Sequence, residues 1–476
     1  MAANAYNAVP YATFARQKTH PDRLATVATL FGMCPAPVTN CRLLEIGCGD
    51  ASNLIPLAYY LPQSRFVGID LADEPIAVGR HTADAMGLKN LSLEAADVCA
   101  LGPDMGEFDY IVAHGLYSWV PPQVRDCLLS ACRERLAPNG VAFISYNVLP
   151  GRHVRDMLRE MMLYHVRAIH EPAERIQKAR WFLEFLTNNR LVSPTMGALV
   201  ENQAKALLEH GEGGFYHDDL AEINTPVYFR DFAAHAARHY LQYLGEADFY
   251  EMFDPKDAIS WLGDDVLERE QYLDFLRIRM FRQTLLCRSE VKLDRKIGPP
   301  TMEHFLFSAP AKQVEGGLIE GLHSVRISAL NEVVKQVTGA LGEVYPLPLS
   351  FEELVPYAGD RGALAEILFA LFTGGFAEIH VHDFPCEETV TEHPQASRLA
   401  RFQTSLGPHV TSAAHHVVQL DEIGRILLPL LDGTRSMDDL AATIATRLGV
   451  ALDPAETRKN LTAGLQEFAR LALLEG

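Results

Sequence analysis

Two glycines one residue apart, Gly47 and Gly49 in LLEIGCGD (43–50), close a short apolar run. Glycine lets a backbone turn sharply from strand to helix and lets a ligand come close to main-chain atoms. A G-x-G pair alone is a weak signal, and its surroundings sharpen it. Ser52 stands where a dinucleotide fingerprint would carry its third glycine, and Glu45 precedes the first glycine by two positions. A pyrophosphate needs close approach to a helix N-terminus and would be repelled by that carboxylate, which argues against a nucleotide dehydrogenase. A sulfonium amino acid has no phosphate, tolerates the larger residue and is served by an acidic neighbour. Asp70 follows Gly49 by 21 positions, where a ribose diol finds its acidic acceptor. Asp97, in AADV, sits where an adenine amino group would meet an acceptor. His114-Gly115 follow a further apolar run, where His114 serves as a ligand contact or as a packed histidine.

Those residues need strands to carry them. Apolar runs at 42–47, 65–70, 91–95, 108–113 and 141–146 alternate with helical patterns at 52–61, 74–86 and 122–136. Such alternation is the mark of parallel βα units in a doubly wound α/β sheet, which binds ligands at the carboxyl ends of its strands. Ala137-Pro138-Asn139-Gly140 reads as a helix stop and a turn into the fifth strand. After Pro150-Gly151 the periodicity is helical to about residue 281, with no strand signal. Strand patterns return at 282–291 and 304–309, and this pair is expected to supply the sixth and seventh strands. The rest is mainly helical, with a strand-like piece at 376–382. LLPLLDGTRSMDDLAATIATRLGV reads as helix, turn, helix, helix, in the manner of a winged-helix module. The expected division is 1–150, a cofactor-binding domain; 151–281, a helical insertion for dimerisation or substrate; 282–312, return strands; and 313–476, a substrate-selecting region.

The 476 residues suggest about three domains, and with 48% hydrophobic residues they can build large cores. No apolar run approaches the ~20 residues that cross a bilayer. The N-terminus lacks the basic flank and apolar core of a signal peptide. Eight scattered cysteines without C-x-x-C fit a reducing cytoplasm and predict no metal site. A net charge of −19 disfavours nucleic acid as a partner.

ExGCGxxxN at 45–53, GIDLA at 68–72, HGLYSWVP at 114–121 and SYNVLPG at 145–151 resemble class I S-adenosylmethionine-dependent methyltransferases fused to a methyltransferase regulatory domain. Within that group the chain resembles bacterial lysine methyltransferases of outer-membrane proteins. The likeness is strong over residues 6–160 and fainter through FYHDDL (215–220), FRQTLLCR (281–288) and LLDGTR (430–435). It implies S-adenosylmethionine as cofactor, surrounded by Glu45, Gly47, Cys48, Gly49, Asn53, Asp70, Leu71, Asp97, Val98 and His114. It also implies an N-terminal lid bearing Tyr11, Gln17 and His20, a lysine-bearing protein substrate, and a homodimer. Ala51 departs from the glycine common in this class, a change expected to be harmless.

Methyl transfer from a sulfonium is an in-line displacement, governed by alignment and desolvation. A lysine acceptor must lose its proton, which an apolar, aromatic-lined site favours. Tyr117 and Trp119 after the fourth strand, and Tyr146 and Asn147 after the fifth, are the candidates for that wall. Tyr216, His217 and Asp218 are candidates for an entrance, with surface charge the plainer reading of the last two. A small-molecule acceptor, or a cofactor-binding regulatory protein without turnover, stands as the alternative. A chain ended near residue 312 is expected, if it folds, to retain cofactor binding.

Overall fold

The computed structural model describes residues 9, 11, 13–189, 193–254, 257–328, 331–386, 389–448 and 454–475. The first five strands form where the apolar runs lie: β1 (Arg42–Ile46), β2 (Arg65–Asp70), β3 (Leu91–Ala95), β4 (Phe108–Ala113) and β5 (Leu136–Asn147). All five run parallel. Helices cover both faces, so β4 and β5 read as continuous apolar runs instead of alternating ones. On one face, α1 (Pro21–Leu30), α2 (Leu54–Tyr60) and α3 (Asp73–Met86) pack on Leu43, Phe66, Val112 and Phe143. On the other, α4 (Pro122–Arg135) sets Leu128, Leu129 and Cys132 against Leu44, Ile111 and Ile144.

Helix α4 stops before Pro138 as expected, but no separate turn follows. Asn139 and Gly140 lie within β5, beside a register shift against β4. A Cβ on Gly140 would stand 2.9 Å from the Asp109 carbonyl, so the glycine permits close strand approach there.

Helices α5 (His153–His165), α6 (Pro172–Asn189) and α7 (Pro194–Leu208) form a unit with its own core of Leu158, Met162, Ala179, Leu183 and Leu207. Beyond it come α8 (Phe229–Arg238), β6 (Leu241–Glu246), α9 (Val266–Arg277) and β7 (Phe281–Arg288). The sheet order is β3-β2-β1-β4-β5-β7-β6, with β7 antiparallel to both neighbours. The sheet therefore completes itself with 241–246, which sequence reading left in the helical insertion. Tyr240/Tyr243 and Leu241/Leu244 repeat at i, i+3, the spacing of a helix face, and this hid the strand.

Residues 304–309 contribute instead to a separate sheet. Leu306–Ser308 lies between Leu349–Ser350 and Glu378–His380. This sheet shares a core with helices Glu332–Val344, Phe351–Ala358 and Arg361–Thr373. A last unit joins the hairpin His409–Thr411/Val417–Gln419 to helices Met437–Leu448 and Pro454–Arg470. Gly449 and Val450 of the winged-helix-like stretch lie outside the described residues.

Helix α1 ties these parts together: Leu24 and Val27 belong to the sheet core, whereas Leu30 enters the core built around residues 302–379. Cys99 and Cys127 form a disulfide, contrary to the expectation of thiols throughout. No helix among the described residues is long and apolar enough to cross a membrane.

Candidate functional site: a cavity at the carboxyl edge of the sheet

A cavity of about 1010 Å³ opens where β1, β2, β4 and β5 end. Its floor is the turn after β1. Gly47 (φ 79°) and Gly49 (φ 55°) take the left-handed backbone that favours glycine. Gly47 and Cys48 donate their N–H groups to the Ile69 carbonyl. Gly49 N–H donates to Asp70 Oδ2 (2.9 Å) and Ala72 N–H to Oδ1 (2.8 Å). Asp70 thus locks the glycine turn to the end of β2, and its oxygens keep lone pairs for a ligand diol. Ala51 is also left-handed (φ 61°) and fully buried. The departure from glycine is therefore strained, against the expectation that it was harmless.

Glu45 is buried beneath this turn. Its Oε1 accepts from Asn53 Nδ2 (3.0 Å), while Oε2 has no partner. Burial raises its pKa to about 8, with Asn53 opposing. Asn53 Oδ1 also accepts from Arg16 N–H (2.8 Å) and from His415 Nε2 (2.9 Å), so residues from both ends of the chain support the floor. Cys48 lines the cavity as a buried thiol whose pKa burial pushes up, which makes it packing and not a nucleophile. Asp97 accepts from Cys99 N–H (2.9 Å), and with Val98 forms the wall after β3. His114 stacks on Phe143, and burial lowers its pKa to about 3, so the ring is neutral. Leu71 stands exposed at the rim.

The opposite wall comes from later segments. Trp119 and Asn147 line it as expected, joined by Arg152, Arg155, Phe281 and Asp218. Asn147 Nδ2 donates to Asn224 Oδ1 (2.8 Å). Residues Phe215–Asp219 form a π-helical turn that buries His217 and Asp219 and leaves Asp218 facing the cavity. His217 Nε2 meets the Val9 carbonyl at 2.7 Å, so it is not surface charge. Burial raises the Asp218 pKa, and its Oδ2 accepts from the Tyr11 hydroxyl (3.0 Å). Tyr216 packs at the edge of the helical core and does not line the cavity. Thr13, Phe14 and Arg16, also on the wall, carried no signal in the sequence.

Four expected residues lie elsewhere. On β5, Ile144 and Tyr146, and Val148 just beyond its end, point into the core under α4 and α8, while Asn147 points the other way. Tyr146 is fully buried, stacked on Phe232 (4.0 Å), with its hydroxyl 2.9 Å from Thr284 Oγ1. Tyr117 enters the same core and meets His235 Nδ1 at 2.8 Å. Neither Tyr117 nor Tyr146 lines the cavity. Gln17 and His20 are also outside it. They lie in the turn before α1, among Glu378, His380, Phe384 and His416, with His20 capping the helix through Asp22 N–H. That turn is pinned to the C-terminal region instead of lying over the cavity.

Among the described residues, three buried polar atoms on the cavity wall have no partner: Glu45 Oε2, Trp119 Nε1 and Arg152 Nη2. The acceptor on Glu45 and the donor on Arg152 suit a zwitterionic amino-acid moiety, and Asp70 and Asp97 suit a ribose and an adenine amino group. Sheet topology and cavity together define a class: a methyltransferase that uses S-adenosylmethionine. Residues 43–140 match the methyltransferase domain family, 214–288 the predicted methyltransferase regulatory domain, and 392–451 the PKMT C-terminal winged helix domain. An uncharacterised protein of Rickettsia prowazekii is 30% identical over 478 residues, spanning 94% of this chain and 86% of its own length. A second protein of that organism is 37% identical over 234 residues, 49% of this chain and 94% of its own. The structure of PKMT2 from Rickettsia typhi in complex with AdoHcy aligns with a TM-score of 0.87 at 28% identity, covering 98% of this chain and all of that one. The chain belongs to this family of methyltransferases with a regulatory domain and a winged helix.

Proposed function

We propose that the protein transfers methyl groups from S-adenosylmethionine to lysine side chains of a protein substrate. The observation that carries this reading is the cavity's second wall. The volume of about 1010 Å³ lies at the top of the ~300–1,000 Å³ range of small-ligand pockets. Its far side combines apolar surface from Leu116, Trp119, Met280 and Phe281 with the Asp218 carboxylate. The carboxylate suits an arriving ammonium. The apolar faces disfavour its charged form and so promote loss of the proton before attack. The cofactor supplies an electrophilic methyl group, and the residues here orient the amine and exclude water. Likeness to PKMT2, a protein lysine methyltransferase, supports the same reading.

The cavity residues proposed for the cofactor are Tyr11, Glu45, Gly47, Cys48, Gly49, Asn53, Asp70, Leu71, Asp97, Val98 and His114. Trp119, Asn147 and Asp218 are proposed for the acceptor. The winged-helix region serves substrate choice, not nucleic acid, in a cytoplasmic enzyme; the charge of −19 supports protein contacts. The helical unit serves dimerisation. Tyr164, Trp181 and Phe185 are exposed there, 69%, 52% and 43%, a density of apolar surface unusual for a free face. Sedimentation should report a dimer that Trp181→Glu converts to monomer, and a wild-type monomer overturns that assignment.

The test of the activity is mass spectrometry of outer-membrane proteins incubated with enzyme and S-adenosylmethionine. Mass increments confined to lysines are expected. Turnover with small acceptors but no protein defeats the reading.

A further inference from the structure

On the side of the sheet away from the glycine turn, α4 and α8 bring together three side chains that methyl transfer does not use. Asp126 projects from α4, and His235 and His239 lie four apart at the end of α8, a spacing that puts both imidazoles on one face. Their candidate ligand atoms all lie within 4.8 Å of one another. Asp126 Oδ1 is 2.8 Å from His235 Nε2 and 3.3 Å from His239 Nε2. Tetrahedral zinc with bonds of ~2.0–2.1 Å holds its ligand atoms roughly 3.3–3.4 Å apart. The Asp126–His239 separation already meets that spacing, and Asp126 is exposed and able to swing. We propose that Asp126, His235 and His239 form a zinc site that clips the methyltransferase domain to the regulatory domain, with water as the fourth ligand.

The surroundings suit a metal. His235 Nδ1 faces the Tyr117 hydroxyl at 2.8 Å. With zinc on Nε2, Nδ1 carries the proton and donates it to Tyr117, the kind of partner that fixes a ligating imidazole's tautomer and orientation. Tyr117 opens the Tyr117–Trp119 turn, whose Trp119 lines the cavity, so the clip also braces that wall.

The test uses the full-length protein, stripped with a chelator and titrated with Zn²⁺ in a non-coordinating buffer, and separately with Co²⁺. One equivalent of tightly bound zinc is expected, with the visible absorption of tetrahedral cobalt. Asp126→Asn and His239→Ala should each weaken zinc at least tenfold and abolish the cobalt band. Asp126→Asn keeps an acceptor for both imidazoles, so a hydrogen-bonded cluster without metal survives it. Adenosylhomocysteine binding by both variants checks their fold. Absence of stoichiometric zinc, or zinc uptake unchanged in both variants, overturns the site.

Discussion

Glu45 is a buried acid with one oxygen unpartnered and a pKa raised from 4.5 to about 8. A carboxyl whose pKa is higher folded than unfolded binds its proton more tightly in the native state. Its contribution is fully present below the unfolded value and lost as pH rises through the folded one. The protein without cofactor should therefore lose stability between about pH 4.5 and pH 8, and Glu45→Gln should flatten that slope. Denaturation of both proteins at pH 5 and pH 8 measures it, and parallel pH profiles would contradict the assignment. The two aromatics once grouped on one wall now separate. Trp119→Ala should depress kcat on a confirmed acceptor at little cost to fold. Tyr146→Phe removes a buried hydrogen bond to Thr284 and should cost ~1 kcal/mol of stability with turnover largely kept. Equal loss of turnover in the two variants would restore Tyr146 to the wall.

At the scale of elements, β7 is held to β6 and α9 by a buried ionic cluster. Arg282 is fully buried, with Glu246 Oε1 at 2.5 Å, Glu270 Oε2 at 3.0 Å and Asp274 Oδ1 at 2.9 Å, and Arg279 joins Asp274 at 3.0 Å. Removing one partner of a buried pair strands the others, so Arg282→Met should destabilise by about 3–5 kcal/mol. Urea unfolding would read it, and a loss under ~1 kcal/mol would mean the carboxylates find other compensation. The sequence displays FRQTLLCR but not this role, because Glu246, Glu270 and Asp274 are spread over the preceding 36 residues with no shared spacing. Gly47, Gly49, Asp70, Asp97 and His114 were legible for the opposite reason: βα units place ligand contacts at the carboxyl ends of successive strands, so each lies just after an apolar run that the sequence displays. Arg152, Asp218 and Phe281 reach the wall from long-range packing that no local pattern encodes. Tyr146 alternates with the apolar Ile144 and Val148, and that period of two places it in the core.

At the scale of the whole molecule, the cofactor domain is not independent of the C-terminal region. Arg23 pairs with Glu378 (2.7 Å), Asp22 faces His380 (2.7 Å), and Leu399 enters the sheet core. A chain ended near residue 312 therefore loses partners of α1 and the His415 prop under Asn53, so any such chain that folds should bind cofactor more weakly than the full chain. The prop can be tested alone. His415→Ala should weaken adenosylhomocysteine by up to about tenfold, the worth of roughly one buried hydrogen bond, although His415 does not line the cavity. His415→Gln, which restores a donor, should recover part of the loss; calorimetry giving wild-type affinity for the alanine variant would rule out the support.

The contacts of Arg23 and Asp22 with residues 378–380 also set a clock for the newborn protein. The segment carrying them must wait for partners synthesised about 355 residues later. At ~5–20 residues per second, that delay is roughly 20–70 s. Throughout it, the glycine turn and the packing of α1 on the sheet can form while the Asp22 and Arg23 side chains lack their partners. Mature affinity for the cofactor should therefore appear only once residues 378–380 have been made and have folded against α1.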